Sequence, residues 1–123
     1  MLCVDNLSRH TRLIDRGRIA NSFWTRFRGL TFVRHLEPGE GLLITYTNSI
    51  HTHFMFMPID VLYVNKQNVI VDLSRCMKPW RMALPRPKAR YIVELPAGSV
   101  AKTGSQIGDQ LQLFLDAEDA RLV

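Results

Sequence analysis

The chain is short of several features that would assign it to a protein class at once. Of its 123 residues only two are cysteines, Cys3 and Cys76, and they share no CxxC spacing. A disulfide framework or a cysteine zinc site needs more of them, so we expect two reduced thiols that pack as small apolar groups. No segment approaches the ~18 uninterrupted apolar residues of a membrane span. The first residues also lack the basic and apolar regions of a secretory signal. These absences predict a cytoplasmic protein with no membrane partner.

The common catalytic signatures are missing as well. The sequence contains no P-loop, no dinucleotide-binding fingerprint and no serine nucleophile elbow. Internal repeats and low-complexity segments are also absent. No reaction can therefore be read from a motif alone, and the chemistry has to be sought in individual polar side chains.

Acidic residues are nearly absent from two stretches of the chain. The net charge is +5. Residues 9–36 hold seven arginines against Asp15 alone, and residues 73–90 hold six basic residues and no acid. The second stretch contains Arg75, Lys78, Arg81, Arg86, Lys88 and Arg90. Residues 91–123 are acidic by contrast. This asymmetry predicts an anionic partner.

The length and the alternation of apolar residues predict a single β-rich domain over residues 1–123. A hairpin is predicted over residues 1–18, and residues 117–123 read as a frayed tail. Further strands are predicted at Leu42–Tyr46, Ile50–Met57, Ile59–Asn65, Val69–Arg75, Ala89–Leu95 and Gln110–Asp116. Short helices are predicted at Ala20–Leu30 and Pro96–Thr103, and a proline-rich, ordered loop at Met77–Arg90. The expected fold is α+β: an antiparallel or mixed sheet curled into a partly closed barrel with two short helices.

The most unusual stretch is Ser49–Asn65, which places two histidines, two methionines and two phenylalanines within seven residues ahead of Pro58 and Asp60. Polar groups in so apolar a stretch must be paired or take part in function. We therefore expect the functional site to lie beside it.

Several motifs in this order resemble one known family. They are Arg26–Leu30, Glu40–Leu42, His51–Val61, Pro79–Arg81, Glu94–Gly98 and Gly108–Asp109. Together they resemble the domain-of-unknown-function family 192 over about residues 20–115. The resemblance implies a small bacterial or archaeal domain with a β-rich α+β fold and an unassigned activity.

A metal site is one interpretation of the histidine-rich stretch. In an extended strand His51, His53, Met55 and Met57 would share one face, and that set could bind copper(I), or zinc through the imidazoles. The related family usually has an aromatic residue where His53 stands. No cysteine or histidine cluster elsewhere supplies further ligands, so we predict no metal and no cofactor.

A small-ligand pocket is the favoured interpretation. Asp60 and Glu94 are carboxylates flanked by apolar residues, and such groups usually seek a partner. With His51 they are the candidate catalytic residues, as acid/base groups. Thr52, Trp80 and Arg81 are the candidate ligand-binding residues, because an aromatic wall beside a guanidinium suits a small anion. Proton transfer, hydrolytic or isomerising, would fit such a pocket.

Other interpretations stay open. Asp60 and Glu94 could brace loops by accepting backbone hydrogen bonds or a salt bridge from Arg81. The basic stretches with Trp80 could bind RNA or single-stranded DNA as an accessory module. A structural or protein-interaction domain with an acidic partner is a third alternative. The sequence does not distinguish a monomer from a dimer, nor an enzyme from a binding protein.

Overall fold

The computed structural model describes residues 1–22, 35–45, 47 and 56–115. These residues form seven strands and one short helix. The strands are β1 (Leu2–Asn6), β2 (Thr11–Ala20), β3 (Glu40–Thr45), β4 (Ile59–Val64), β5 (Ile70–Met77), β6 (Tyr91–Pro96) and β7 (Leu111–Leu115). The helix, α1, covers Ser99–Thr103.

All seven strands belong to one sheet, in the order β5-β4-β6-β3-β2-β1-β7. Strands β2 and β3 pair in parallel, and the other neighbouring pairs are antiparallel. The predicted antiparallel or mixed sheet is therefore confirmed.

The two ends of this sheet meet at one point. Val69, just before β5, forms a bridge with Gln110, just before β7. The backbone N–H of Leu111 donates to the carbonyl of Asn68 at 2.7 Å, and that of Ile70 donates to the carbonyl of Asp109 at 3.0 Å. The sheet is thus curled and closed over a short stretch, which confirms the partly closed barrel.

Apolar side chains cover both faces of the curled sheet. One cluster contains residues of all seven strands and Val100 of α1, and it includes Leu111 and Ile70 from opposite ends of the strand order. We call this the concave face. The other cluster lies on the central strands β3, β4 and β6, with Leu36, Ala83 and Ala89 packed against them. We call this the convex face.

Local turn chemistry explains why the hairpins form where alternation predicts them. Asn65 follows β4, and its side-chain oxygen accepts the backbone N–H groups of Gln67 and Val69, both at 3.0 Å. An asparagine that caps the following turn in this way reverses the chain. Asn68 then takes a positive φ of 64°, which asparagine tolerates better than most residues. The predicted turn at Asn65–Asn68 is confirmed.

The helix predictions need correction at their ends. Ala20 was placed at the start of a helix, but it is the last residue of β2, and the rest of that predicted helix lies almost wholly outside the described residues. The second helix begins at Ser99 instead of Pro96, because Pro96 still belongs to β6. It ends as predicted at Gly104, where φ is 70°.

Two further predictions fall mainly outside the described residues. The strand expected at Ile50–Met57 lies there apart from Phe56 and Met57, which are not in a strand, and the tail at 117–123 lies there entirely. Across the ranges that the structure covers, no helix has the length and apolar character needed to cross a membrane.

Candidate functional site

The two candidate carboxylates lie on neighbouring strands but face opposite ways. Asp60 of β4 pairs with Leu95 of β6, and Leu95 packs in the concave cluster. Glu94 pairs with Val61, which packs in the convex cluster. Because paired residues point to the same side of a sheet, Asp60 lies on the concave face and Glu94 on the convex face. The two side chains do not open into one cleft.

Asp60 is held by backbone hydrogen bonds on both carboxylate oxygens. Its side chain is buried, Oδ1 accepts the N–H of Cys76 at 2.8 Å, and Oδ2 accepts the N–H of Val100 at 2.7 Å. Cys76 belongs to an irregularity in β5, where φ is 49°, and Val100 lies in the first turn of α1, which has no side-chain cap of its own. These contacts match the bracing interpretation, and a catalytic role for Asp60 stays a prediction.

Glu94 has the opposite environment. It is 2% exposed, and its buried Oε2 atom has no hydrogen-bond partner among the residues that the structure describes. Burial raises the pKa of Glu94 to about 8. The side chain is therefore a neutral acid at pH 7 and can donate a proton, which an ionised carboxylate cannot do.

Glu94 and its cross-strand neighbours form one row on the convex face. In order across the strands the row contains Arg18, Leu42, Glu94, Val61 and Ser74. Leu42 and Val61 are both buried. Ser74 lies two strands away from Glu94, and since adjacent strands are ~4.8 Å apart, the two backbones are roughly 10 Å apart.

Ser74 lines a cleft of about 680 Å³ on the convex face. The floor is formed by β5 and the opposite wall by the loop that leads to β6. The lining side chains are Val71, Asp72, Ser74 and Met77 from β5 and its end, and Met82, Ala83, Leu84, Pro85, Arg86, Pro87 and Lys88 from the loop. Most of this surface is apolar, with a few polar groups, as is usual for small-molecule sites.

Arg86 connects the Met82–Lys88 loop to the sheet at this cleft. Its Nε donates to Asp72 Oδ2 at 2.9 Å, and its Nη1 donates to the carbonyl of Leu84. The guanidinium carbon also lies 4.2 Å from the centre of the Tyr63 ring, within cation–π range. The hydrogen bond from Arg86 lowers the pKa of Asp72 below its usual value, so this carboxylate is ionised at neutral pH. Tyr63 in turn shares a 3.2 Å hydrogen bond with Ser74.

Basic residues are frequent in residues 75–90, which supply most of the lining of the cleft. Arg86 and Lys88 line it, and the same segment carries Arg75, Lys78, Arg81 and Arg90, all exposed. Asp72 is the acidic residue in the lining. A cleft with apolar walls and a basic rim attracts ligands that are both apolar and anionic.

Trp80 and Arg81 lie on the segment that forms the loop wall. Both are exposed, and Trp80 is 54% exposed with a positive φ of 63°. A bulky residue in the left-handed region is uncommon and marks a position fixed by its surroundings. In the sequence Trp80 and Arg81 lie between Met77 and Met82. The two methionines line the cleft, whereas Trp80 and Arg81 are not among the lining residues. Their predicted ligand-binding roles stay predictions.

The remaining predicted residues lie outside the described residues. They are His51 and Thr52 of the predicted site and His53 and Met55 of the metal alternative. Met57, the last of that set, is half-buried against the convex cluster. Within the described ranges no three His, Cys, Asp or Glu side chains are grouped to hold a metal ion.

Sequence reasoning anticipated the loop but missed its key residue. Residues 78–90 contain neither a helix nor a continuous strand, as their prolines predict. Arg86 was counted only as one of six positive charges. Its position between Pro85 and Pro87 was the available signal, because two prolines fix the backbone around it. Its partners Asp72 and Tyr63 lie on other strands and could not be inferred locally.

Comparison with known proteins identifies the family. The family model described as "Uncharacterized ACR", domain-of-unknown-function family 192, matches residues 7–113. The chain belongs to this family. A UPF0127 protein of Pyrococcus furiosus is 39% identical over 98 residues, which cover 77% of this chain and 84% of the relative. A UPF0127 protein of Thermococcus sibiricus is 34% identical over 110 residues, covering 84% of this chain and 69% of the relative. The resemblance of the sequence motifs is confirmed.

Solved structures agree on the fold of family 192. A protein of unknown function from Novosphingobium aromaticivorans matches with a TM-score of 0.78 and 20% identity, over 90% of this chain and 82% of that chain. A protein from Sinorhizobium meliloti, whose description proposes a role in transcription regulation, matches with a TM-score of 0.76 and 23% identity, over 90% of both chains. At this identity the likeness establishes the fold alone.

Proposed function

We propose that this member of family 192 binds a small anionic ligand with an apolar body in the cleft between β5 and the Met82–Lys88 loop. The observation that carries the proposal is the cleft itself, about 680 Å³ in volume, with apolar walls and two basic side chains, Arg86 and Lys88. Its volume lies within the range of about 300–1,000 Å³ that is common for small-molecule sites.

The anion is expected to bind at the Arg86 end of the cleft. A guanidinium has five N–H donors, and Arg86 uses Nε for Asp72 and Nη1 for Leu84. Within the described residues no partner is seen for Nη2. A ligand carboxylate could therefore bind there without displacing Asp72, with Lys88 adding a second positive charge.

Glu94 is the candidate acid/base group that remains compatible with this site. It lies on the same convex face as the cleft and is neutral at pH 7. Val61 separates it from Ser74 in the cleft lining. Val61 and Glu94 are both buried, so a ligand in the cleft would meet this carboxylic acid, whose proton acid/base catalysis could use, only after the covering side chains move.

A fluorescence titration with 1-naphthaleneacetate tests the proposal. The wild-type protein should bind this aromatic carboxylate, and Arg86→Gln should weaken the binding at least about tenfold, the effect of one lost charge-assisted contact. Lys102→Gln is the matched control, because Lys102 is exposed on α1 and does not line the cleft. Arg81→Ala and His51→Gln, measured alongside, test two of the predicted site residues: Arg81 is not among the lining residues, and His51 lies outside the described residues.

Thermal melts of each variant separate binding from folding. If the wild type shows no binding at millimolar probe, or if Arg86→Gln and Lys102→Gln bind equally well, the cleft is not a site for anions. If Arg81→Ala and His51→Gln unfold the protein, these two residues are structural.

Nucleic-acid binding is the second candidate function. Exposed Trp80 lies among exposed basic residues, and stacking beside positive charge is how proteins hold single strands. A mobility-shift titration with a single-stranded oligonucleotide tests it, and binding should weaken steeply as salt rises. Absence of a complex at low salt removes this candidate.

A further inference from the structure

The charges in the cleft are few enough to specify the charge of its ligand. Among the residues that the structure describes, three charged side chains line it: Arg86, Lys88 and Asp72. Together they leave one net positive charge. A ligand with one negative charge would neutralise the cleft. A ligand with two would leave an excess negative charge beside the carboxylate of Asp72.

The geometry of Arg86 shows where an anion can bind. Arg86 already binds the carboxylate of Asp72 through Nε at 2.9 Å, while its guanidinium carbon lies over the Tyr63 ring, 4.2 Å from the ring centre. The guanidinium is thereby fixed in orientation, with its remaining edge available to a second planar group. Carboxylates and phosphates both match that fork geometry, so the choice between them depends on their charge.

The apolar walls determine the rest of the ligand. Val71, Met77, Met82 and Leu84 contribute apolar lining, and the unbranched methionines can adapt to the outline of different hydrocarbon groups. Met82 and Leu84 are 72% and 79% exposed, which leaves apolar surface that a bound ligand would cover.

We infer that the cleft prefers a monoanionic carboxylate with an apolar body over a dianionic phosphate of the same shape, and that Asp72 sets this preference. The inference rests on the proposed function. Asp72 acts here as a specificity-determining residue: it offsets one of the two positive charges and repels the second charge of a phosphate.

Three probes with one naphthalene body test the inference: 1-naphthaleneacetate, 1-naphthyl phosphate and 1-naphthalenemethanol. Titrations at about pH 7.5 keep the phosphate largely dianionic, since its second pKa is near 6. The wild type should bind the carboxylate about tenfold more tightly than the phosphate, a difference that one half-exposed charge contact can supply. The neutral alcohol should bind more weakly than the carboxylate.

Asp72→Asn should remove most of this preference by tightening phosphate binding about tenfold relative to the carboxylate. Lys88→Gln should weaken the binding of both anions, and that of the phosphate more than that of the carboxylate. It provides the decisive comparison if Asp72→Asn fails to fold. Lys102→Gln should leave all affinities unchanged.

The outcomes distinguish the inference from the proposed function. The inference is wrong, while the cleft remains a binding site, if the wild type favours the phosphate or if a folded Asp72→Asn leaves the ratio of the two affinities unchanged. Where Asp72→Asn does not fold, an unchanged ratio in Lys88→Gln has the same meaning. If none of the three probes binds, the proposed function itself fails.

Discussion

At the scale of single residues, the two buried carboxyl groups show how partners decide chemistry. Asp60 accepts two backbone N–H groups, whereas Glu94 has a buried oxygen that finds no partner in the described part of the chain. Both are almost fully buried. Burial without hydrogen bonds penalises the charged form, so Glu94 is kept neutral at a pH where an ordinary glutamate is ionised. That property makes Glu94 the stronger acid/base candidate.

Glu94 should give the protein a recognisable dependence of stability on pH. Its pKa is about 8 in the folded state against 4.5 as the ordinary value. Between these two values the folded state holds a proton that the unfolded state has lost. The free energy of unfolding should therefore decrease as pH rises from 4.5 to about 8, by up to about 1.4 kcal/mol per pH unit. Glu94→Gln, which stays neutral, should abolish this decrease and be more stable than wild type above pH 8.

Urea unfolding at a series of pH values measures this effect. Glu40→Gln is the matched control, because Glu40 lies half-buried on the neighbouring strand β3 and accepts a hydrogen bond from Glu37. It should retain the decrease. A Glu94→Gln profile that runs parallel to the wild-type profile would show that Glu94 is ionised in the folded protein.

At the scale of helices and strands, the sequence predicts the elements better than their arrangement. The alternation of apolar residues placed β4 and β5 correctly, and the Asn65 turn joined them as expected. The same alternation could not show that Asp60 and Glu94 face opposite ways. That depends on the register between β4 and β6, in which Asp60 pairs with Leu95 and Glu94 with Val61. Their separation along the chain leaves no local signal for such a register.

The ends of elements were also less predictable where the cause is not local. Helix α1 begins at Ser99 without a side-chain cap from its own first residues. The acceptor comes instead from Asp60, 40 residues earlier in the chain than Val100. Capping patterns in sequence are read from adjacent residues, so a cap supplied by another strand escapes them. Pro96 suggested an earlier start because proline is common at the first position of a helix.

Asp60 should be important for stability because it joins β5 and α1 to β4. Asp60→Ala would leave the N–H groups of Cys76 and Val100 without their acceptor. An unsatisfied buried N–H such as that of Val100 costs roughly 1–3 kcal/mol and the part-buried N–H of Cys76 costs less, so we expect a loss of about 2–4 kcal/mol in the free energy of unfolding. Chemical denaturation monitored by circular dichroism measures it.

Asp5→Ala is the control for this experiment. Asp5 forms an ion pair with Arg12 at 2.7 Å on the surface, and removing such a pair should cost no more than about 1 kcal/mol. Equal losses for the two variants would show that Asp60 does not brace the fold. A catalytic Asp60 would instead appear as lost activity with stability retained.

At the scale of the whole molecule, a buried polar network holds the barrel closed. Asp109 precedes β7, and its Oδ2 accepts from Asn6 at 2.9 Å, from Arg9 at 3.0 Å and from the N–H of Gln106 at 2.9 Å. Its backbone carbonyl accepts the N–H of Ile70 from the opposite end of the sheet. One residue therefore connects the β1–β2 turn, the segment after α1, and both ends of the strand order.

Acid should open the barrel at this point first. Burial alone would raise the pKa of Asp109, but the hydrogen bonds from Arg9, Asn6 and Gln106 outweigh it and lower the pKa below the ordinary value of 3.8. The stabilisation is therefore present above pH 3.8 and is lost as pH falls through the lower pKa of the folded state. Asp109→Asn should be destabilised at neutral pH, and its difference from wild type should shrink below pH 3.8.

Amide hydrogen exchange locates this opening within the fold. In Asp109→Asn at neutral pH the amides of Ile70 and Leu111, which join the two ends of the sheet, should exchange much faster than in wild type. The amides of Ile92 and Val93 in the central strand β6 should change less, because they lie between β4 and β3 and open only with the whole sheet. Asp5→Asn, which alters a surface ion pair on the same strand as Asn6, should leave all four amides unaffected. Equal acceleration of exchange at all four amides would mean that the barrel unfolds as one unit. Asp109 would then contribute to overall stability without specifically stabilising the contact between the two ends of the sheet.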